Sequence, residues 1–216
     1  GGKHGYPLPP DYFAGIAAIA RRHGLATHMD GARLFNAAVA QGISAADITA
    51  HVDSVTFCLS KGLCAPVGSV LCGSAAFIHQ ARRARKALGG GMRQAGILAA
   101  AGVVALNEMI DRLAEDHAHA RLLAEGLARL PGARVDVDKV RTNMVFFDLA
   151  DDVPLSSEQV AGQLRETAGV WLGTNGPRGF RAVTHYWISA GDVGVLLDGL
   201  ERILARAQEP AAPLTA

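Results

Sequence analysis

The sequence is short of net charge, of cysteine and of long apolar runs. Lys and Arg total 21 against 20 Asp and Glu, a formal charge of +1. No long-range field therefore draws the chain to nucleic acid or to an acidic membrane. Cys58, Cys64 and Cys72 are the 3 cysteines, and their C-x5-C-x7-C spacing matches no zinc-binding pattern. No signal peptide precedes them, and they read as reduced, buried thiols of a cytoplasmic protein with no metal site. Every apolar run is interrupted by Gly or charge before it reaches membrane-spanning length. An initiating Met is missing too: the chain opens Gly1-Gly2-Lys3-His4-Gly5 and passes at once into Pro-rich turn chemistry. That opening reads as the middle of a longer protein.

Of the 216 residues, 50% are hydrophobic, enough to bury one good core with a smaller satellite domain. Pro9-Pro10-Asp11 starts a helix over 12–23, ended by Gly24. Residues 25–29 read as a short buried parallel strand, 32–42 as a helix, 48–51 as a short turn or helix and 53–59 as a second buried strand. A third strand at 67–72 is expected to run antiparallel, because the link from Leu59 is too short for a crossover helix. Helices follow at 75–88 and, after Gly89-Gly90-Gly91, at 94–130, bent or broken near 109–112. The run Arg82-Arg83-Ala84-Arg85-Lys86 is a solvated helix face or an anion contact. Pro131-Gly132 stops the helical stretch. Beyond it lie strands at 135–137, 143–149, 170–172 and 181–188, a helix at 156–167 capped by Ser156 or Ser157, and a closing helix at 190–206. The grammar changes near residue 115, giving a large domain at 1–114, a small α+β domain at 115–208 and a Pro/Ala tail at 209–216.

Two segments hold the chemistry. Asp30, in His28-Met29-Asp30-Gly31-Ala32-Arg33, ends the first buried strand, and Lys61, in Ser60-Lys61-Gly62, ends the second. Open α/β sheets place ligands at the carboxyl ends of their strands. Asp30 also reads as a helix N-cap and Lys61 as a snorkelling surface lysine. Together, with glycines beside them to admit a flat ring, they suit pyridoxal 5'-phosphate, which needs an amine for its Schiff base and an acid against its pyridinium nitrogen.

Three motifs extend the reading: His28-Met29-Asp30-Gly31-Ala32-Arg33-Leu34-Phe35-Asn36-Ala37; Cys58-Leu59-Ser60-Lys61-Gly62 through Pro66-Val67-Gly68-Ser69; and Gly89-Gly90-Gly91-Met92-Arg93-Gln94. With the later Arg181-Ala182-Val183-Thr184-His185, they closely resemble the low-specificity L-threonine aldolases, fold-type I pyridoxal-phosphate enzymes of the β-eliminating lyase group. The resemblance runs in order from Gly1 to about Arg206. It implies an α/β fold: part of a mostly parallel large-domain sheet with helices on both faces, plus the small α+β domain. It makes Lys61 the Schiff-base lysine and Asp30 the partner of the ring nitrogen. Arg33 would bind cofactor and substrate carboxylate, Arg181 would be a second carboxylate ligand, and Ser60 and Arg93 would hold the cofactor phosphate. Arg93 also reads as a solvent-exposed arginine at a helix start.

The reaction implied is cleavage of L-threonine, L-allo-threonine and related β-hydroxy-α-amino acids to glycine and an aldehyde, in a homodimer or homotetramer with shared active sites. The other readings are β-elimination on the same scaffold, or a catalytically inactive fragment, since relatives place further cofactor contacts ahead of the point where this sequence starts. Trp187 and Cys64 depart from the family pattern, an acidic residue and a glycine being common there. His23, His51, His79, His117 and His119 are expected at the surface.

Overall fold

The computed structural model describes residues 5–208. The opening residues and the expected tail at 209–216 lie outside that range. The chain divides into two compact units between Glu115 and Asp116.

In the first unit, α1 (Pro10–Arg22) begins with Pro in its first turn, carries Asp11 there, and ends on Arg21 and Arg22. Both charge placements oppose the helix dipole. Gly24 then turns the chain at φ +62° into β1 (His28–Asp30). The helix α2 (Leu34–Gln41) closes on Gly42 at φ 64°, the left-handed conformation that glycine adopts without penalty. A reciprocal Ser44–Asp47 capping box starts α3 (Ala45–Thr49). There follow β2 (Ser54–Cys58), β3 (Ser69–Gly73), α4 (Ala75–Ala87) and α5 (Gly96–Glu108), and α6 (Leu113–Leu127) begins in this unit and continues into the second.

The sheet order is β1-β2-β3. β1 runs parallel to β2 and β3 antiparallel to it, as the short link dictates. At the start of the parallel pair, the N–H and hydroxyl of Thr27 donate to Asp53 Oδ2 at 2.7 and 2.8 Å. These bonds hold the Asp53 carboxyl below its ordinary range.

Val55, Phe57, Leu34, Ile48, Leu63 and Leu113 form the core of this unit. Only one face of the sheet packs on it. β1 starts at His28 rather than residue 25, and its His28 and Asp30 are exposed, which corrects the buried strand expected over 25–29; most of β3 is exposed as well. Alternation turns Met29, Val55 and Phe57 inward and His28, Asp30 and Thr56 outward. Among the described residues, no further strand pairs with the outer edges of β1 and β3. The thiols change likewise: all three cysteines are free, but Cys64 and Cys72 are exposed and Cys58 is half-buried.

The second unit is an antiparallel sheet in the order β4-β5-β7-β6. Its strands are β4 (Ala133–Arg134), β5 (Met144–Leu149), β6 (Gly173–Thr174) and β7 (Gly179–Val183), with α7 (Ser157–Ala168) and α8 (Ala190–Gln208). Ser156 caps α7 in a reciprocal box with Gln159. Phe147 and Phe180 stack at 4.7 Å within a core that includes Leu127, Val145, Leu164 and Leu200.

Three expected strands move. Residues 137–139 form a 3-10 turn instead, with β4 just before it; β6 follows 170–172 rather than occupying it; and β7 stops at Val183, where Thr184 becomes buried and donates to the Asp116 carbonyl at 2.6 Å. His117 and His119 are half-buried on α6, not at the surface.

Candidate active site

Asp30 and Lys61 stand at the carboxyl end of one parallel strand pair. Asp30 is the last residue of β1, in register with Thr56, and the Gly31 N–H continues the pairing to the Thr56 carbonyl at 2.7 Å. Asp30 Oδ1 accepts the Ala32 N–H at 3.1 Å; among the described residues, that is the carboxylate's one hydrogen bond.

Lys61 follows the end of β2 in a tightly pinned loop. The Cys64 N–H donates to the Lys61 carbonyl at 2.9 Å, Ala65 N–H to the Leu59 carbonyl at 3.1 Å, and Leu59 N–H to the Gly68 carbonyl at 2.9 Å. Cys64 sits at φ 59°, a left-handed position that glycine occupies more cheaply. The Lys61 side chain is exposed and makes no ion pair or hydrogen bond within the described residues.

Glycines make room at both places. A Cβ on Gly31 would come 3.0 Å from the Thr56 carbonyl oxygen, and one on Gly62 would come 2.7 Å from Leu113 Cδ2. A carboxylate with an oxygen to spare, an amine without a partner and close backbone approach are what pyridoxal phosphate asks for, so these residues fit that cofactor.

The other expected residues fall in several places. Arg33 occupies the N-cap position of α2, half-buried in the turn that leaves β1. Ser60 is exposed beside Lys61. Arg93 is exposed in the link between α4 and α5, next to Gln94 at φ 53°. Arg181 belongs to the second unit. It lies on β7 between Phe146 of β5 and Gly173 of β6, exposed on the face opposite the buried Phe180 and Ala182. There it lines a cleft of about 430 Å3 together with Trp171 and Trp187. Asp30 also lines a cleft, of about 530 Å3, formed with His28 and apolar residues of α1 and α2; Lys61 takes no part in it.

The sequence reading missed one polar group. His28 Nδ1 lies 2.9 Å from Ser54 Oγ and its Nε2 lies 3.3 Å from Thr56 Oγ1, so its ring bridges two residues of β2 on the Asp30 face. The signal was present in the alternation of His28 with Asp30 and of Ser54 with Thr56.

Comparison with known proteins identifies the class. The family model described as β-eliminating lyase matches residues 2–150, and the chain belongs to that family. It is 45% identical over 204 residues to low-specificity L-threonine aldolase 1 of Arabidopsis thaliana, covering 94% of this chain and 57% of that protein. It is 40% identical over 203 residues to the low specificity L-threonine aldolase of Escherichia coli, with 94% and 58% covered. The chain thus spans less than two thirds of the length of these relatives. In three dimensions it resembles a Listeria monocytogenes protein assigned as an L-allo-threonine aldolase, with TM-score 0.75, 22% identity, and 90% of this chain and 57% of that one covered. The fold is that of the fold-type I pyridoxal-phosphate enzymes.

Proposed function

We propose that this chain carries the lysine and aspartate half of a pyridoxal-phosphate site, and that the protein it belongs to cleaves β-hydroxy-α-amino acids such as L-threonine and L-allo-threonine to glycine and an aldehyde. The carrying observation is the placement of Asp30 and Lys61, both with unused bonding capacity, at the carboxyl ends of adjacent parallel strands. Bound there, pyridoxal phosphate supplies an aldehyde that bonds amines and a ring that stabilises negative charge at the substrate α-carbon. Lys61 Nζ is the amine that holds the aldehyde, and Asp30 holds the proton on the ring nitrogen. Ser60 and Arg93 are assigned to the phosphate. Arg33 and Arg181 each offer a planar fork that bonds both oxygens of a carboxylate; holding the substrate carboxylate fixes the orientation of the bond to be broken.

A second copy of the chain is the proposed partner, in a homodimer or homotetramer. Supporting it, α4 buries none of its residues, and Leu88, Met92, Ile97, Val103 and Val104 along the next link and α5 are all exposed. Free thiols suit a reducing compartment, the cytoplasm. Among the described residues, no helix is long and apolar enough to cross a membrane.

Product analysis tests the reaction. The protein carrying this chain, supplied with pyridoxal phosphate, is expected to release glycine and acetaldehyde from L-threonine. Pyruvate from L-serine without glycine release from threonine would replace this reading with β-elimination. Arg181→Gln is expected to raise KM for threonine about tenfold, the loss of one charged bidentate contact.

A further inference from the structure

We propose that His28 is a positioning residue for Asp30: it occupies the Thr56 hydroxyl and so leaves the Asp30 carboxylate to the ring nitrogen of pyridoxal phosphate. The inference rests on the cofactor reading above and names a residue that this reading does not use.

The geometry is a short relay on the outward face of the sheet. His28 is in register with Ser54, and Asp30 with Thr56. The imidazole reaches from His28 along β2, with Nδ1 2.9 Å from Ser54 Oγ and Nε2 3.3 Å from Thr56 Oγ1. In the proposed arrangement the neutral ring is the tautomer with its proton on Nδ1. Ser54 has one hydroxyl proton, and its oxygen lies 3.4 Å from the Thr27 carbonyl, which can only accept. In that tautomer the Ser54 proton turns to this carbonyl and Ser54 Oγ accepts the His28 Nδ1–H. The neutral ring then has its lone pair on Nε2, which accepts the Thr56 hydroxyl proton.

Thr56 stands beside Asp30 across the ladder, yet its hydroxyl bonds His28, and among the described residues the one hydrogen bond to Asp30 comes from Ala32. Without the imidazole acceptor, the Thr56 proton would turn to the adjacent carboxylate. A carboxylate that already accepts an extra donor is a weaker base toward the ring N–H. His28 therefore acts through Thr56, keeping a competing donor away from Asp30.

The test reads the cofactor itself. The protein carrying this chain is loaded with pyridoxal phosphate labelled with 15N in the ring, and the nitrogen resonance and cofactor dissociation constant are measured. His28→Leu is expected to move the resonance toward the unprotonated pyridine position and weaken cofactor binding about tenfold, the scale of one charged hydrogen bond. Adding Thr56→Val to that variant removes the competing donor and is expected to restore both values. His28→Gln, which keeps an acceptor and a donor, is expected to stay near the wild type. Should the leucine variant not fold, His28→Phe, closer in ring size, carries the same expectation. An unshifted resonance in the folded single variant, or no recovery in the double variant, overturns the proposal. A wild-type protein that gives no bound-cofactor resonance contradicts the cofactor reading itself.

Discussion

Gly62 shows how closely the lysine loop is fitted to its support. The space a side chain would need is taken by Leu113, a wholly buried core residue, at 2.7 Å from the would-be Cβ. Leu113 cannot swing aside without opening the core, so overpacking is the cost. Gly62→Ala is expected to destabilise the protein by about 1–2 kcal/mol, measured by urea denaturation, and to loosen cofactor binding because Lys61 is the neighbouring residue. Unchanged stability with unchanged binding would show that the loop has slack. Asp30 and Lys61 were legible in the sequence because a charge at the end of an apolar run is costly without a purpose. His28 was not, because its role depends on which hydroxyls β2 sets opposite it. The exposure of Cys64 escaped notice for a similar reason: an apolar local sequence does not reveal that residue 64 turns left-handed at the loop's outer bend.

Among the elements, helices were read better than strands. The caps at Ser44, Ser156, Gly42 and Gly24 are local chemistry, written within a few residues of each boundary. Strand β3 was placed to within two residues, whereas β1 begins three residues later than expected and is exposed where burial was expected, since burial depends on whether a second layer covers the outer face. In the second unit, β4 and β6 are two-residue edge strands, too brief for any alternation to register.

The helix α6 carries a property that its sequence hid. His117 is half-buried, and desolvation lowers its pKa from 6.5 to about 4. The folded state thus binds this proton more weakly than the unfolded state, and the unfolded state gains protons as pH falls from 6.5 toward 4. The contribution of His117 to stability is complete above pH 6.5 and is lost across that window, with a size of about 1–2 kcal/mol after allowance for solvent screening. His117→Gln is expected to flatten the pH dependence of unfolding between those limits relative to the wild type. Identical pH slopes for the two proteins would show that His117 titrates normally.

At the scale of the whole molecule, fold class and family were legible because three motifs between His28 and Gln94 and a later one at 181–185 follow one another in order. The comparisons agree over 94% of it while reaching only 57% of the Arabidopsis relative. The placement of Arg33 and Arg181 in separate units, and the apolar surface of α5, are products of tertiary structure that no local pattern announces. All of this converges on one atom, Lys61 Nζ. The chain has four lysines, Lys3, Lys61, Lys86 and Lys139, so their peptides are readily told apart. Borohydride reduction of the cofactor-loaded protein, followed by peptide mass mapping, is the most direct measurement. The phosphopyridoxyl group is expected on Lys61 alone and absent from Lys61→Ala. A modified Lys86 or Lys139 with Lys61 unmodified, or no stable adduct, would contradict the assignment.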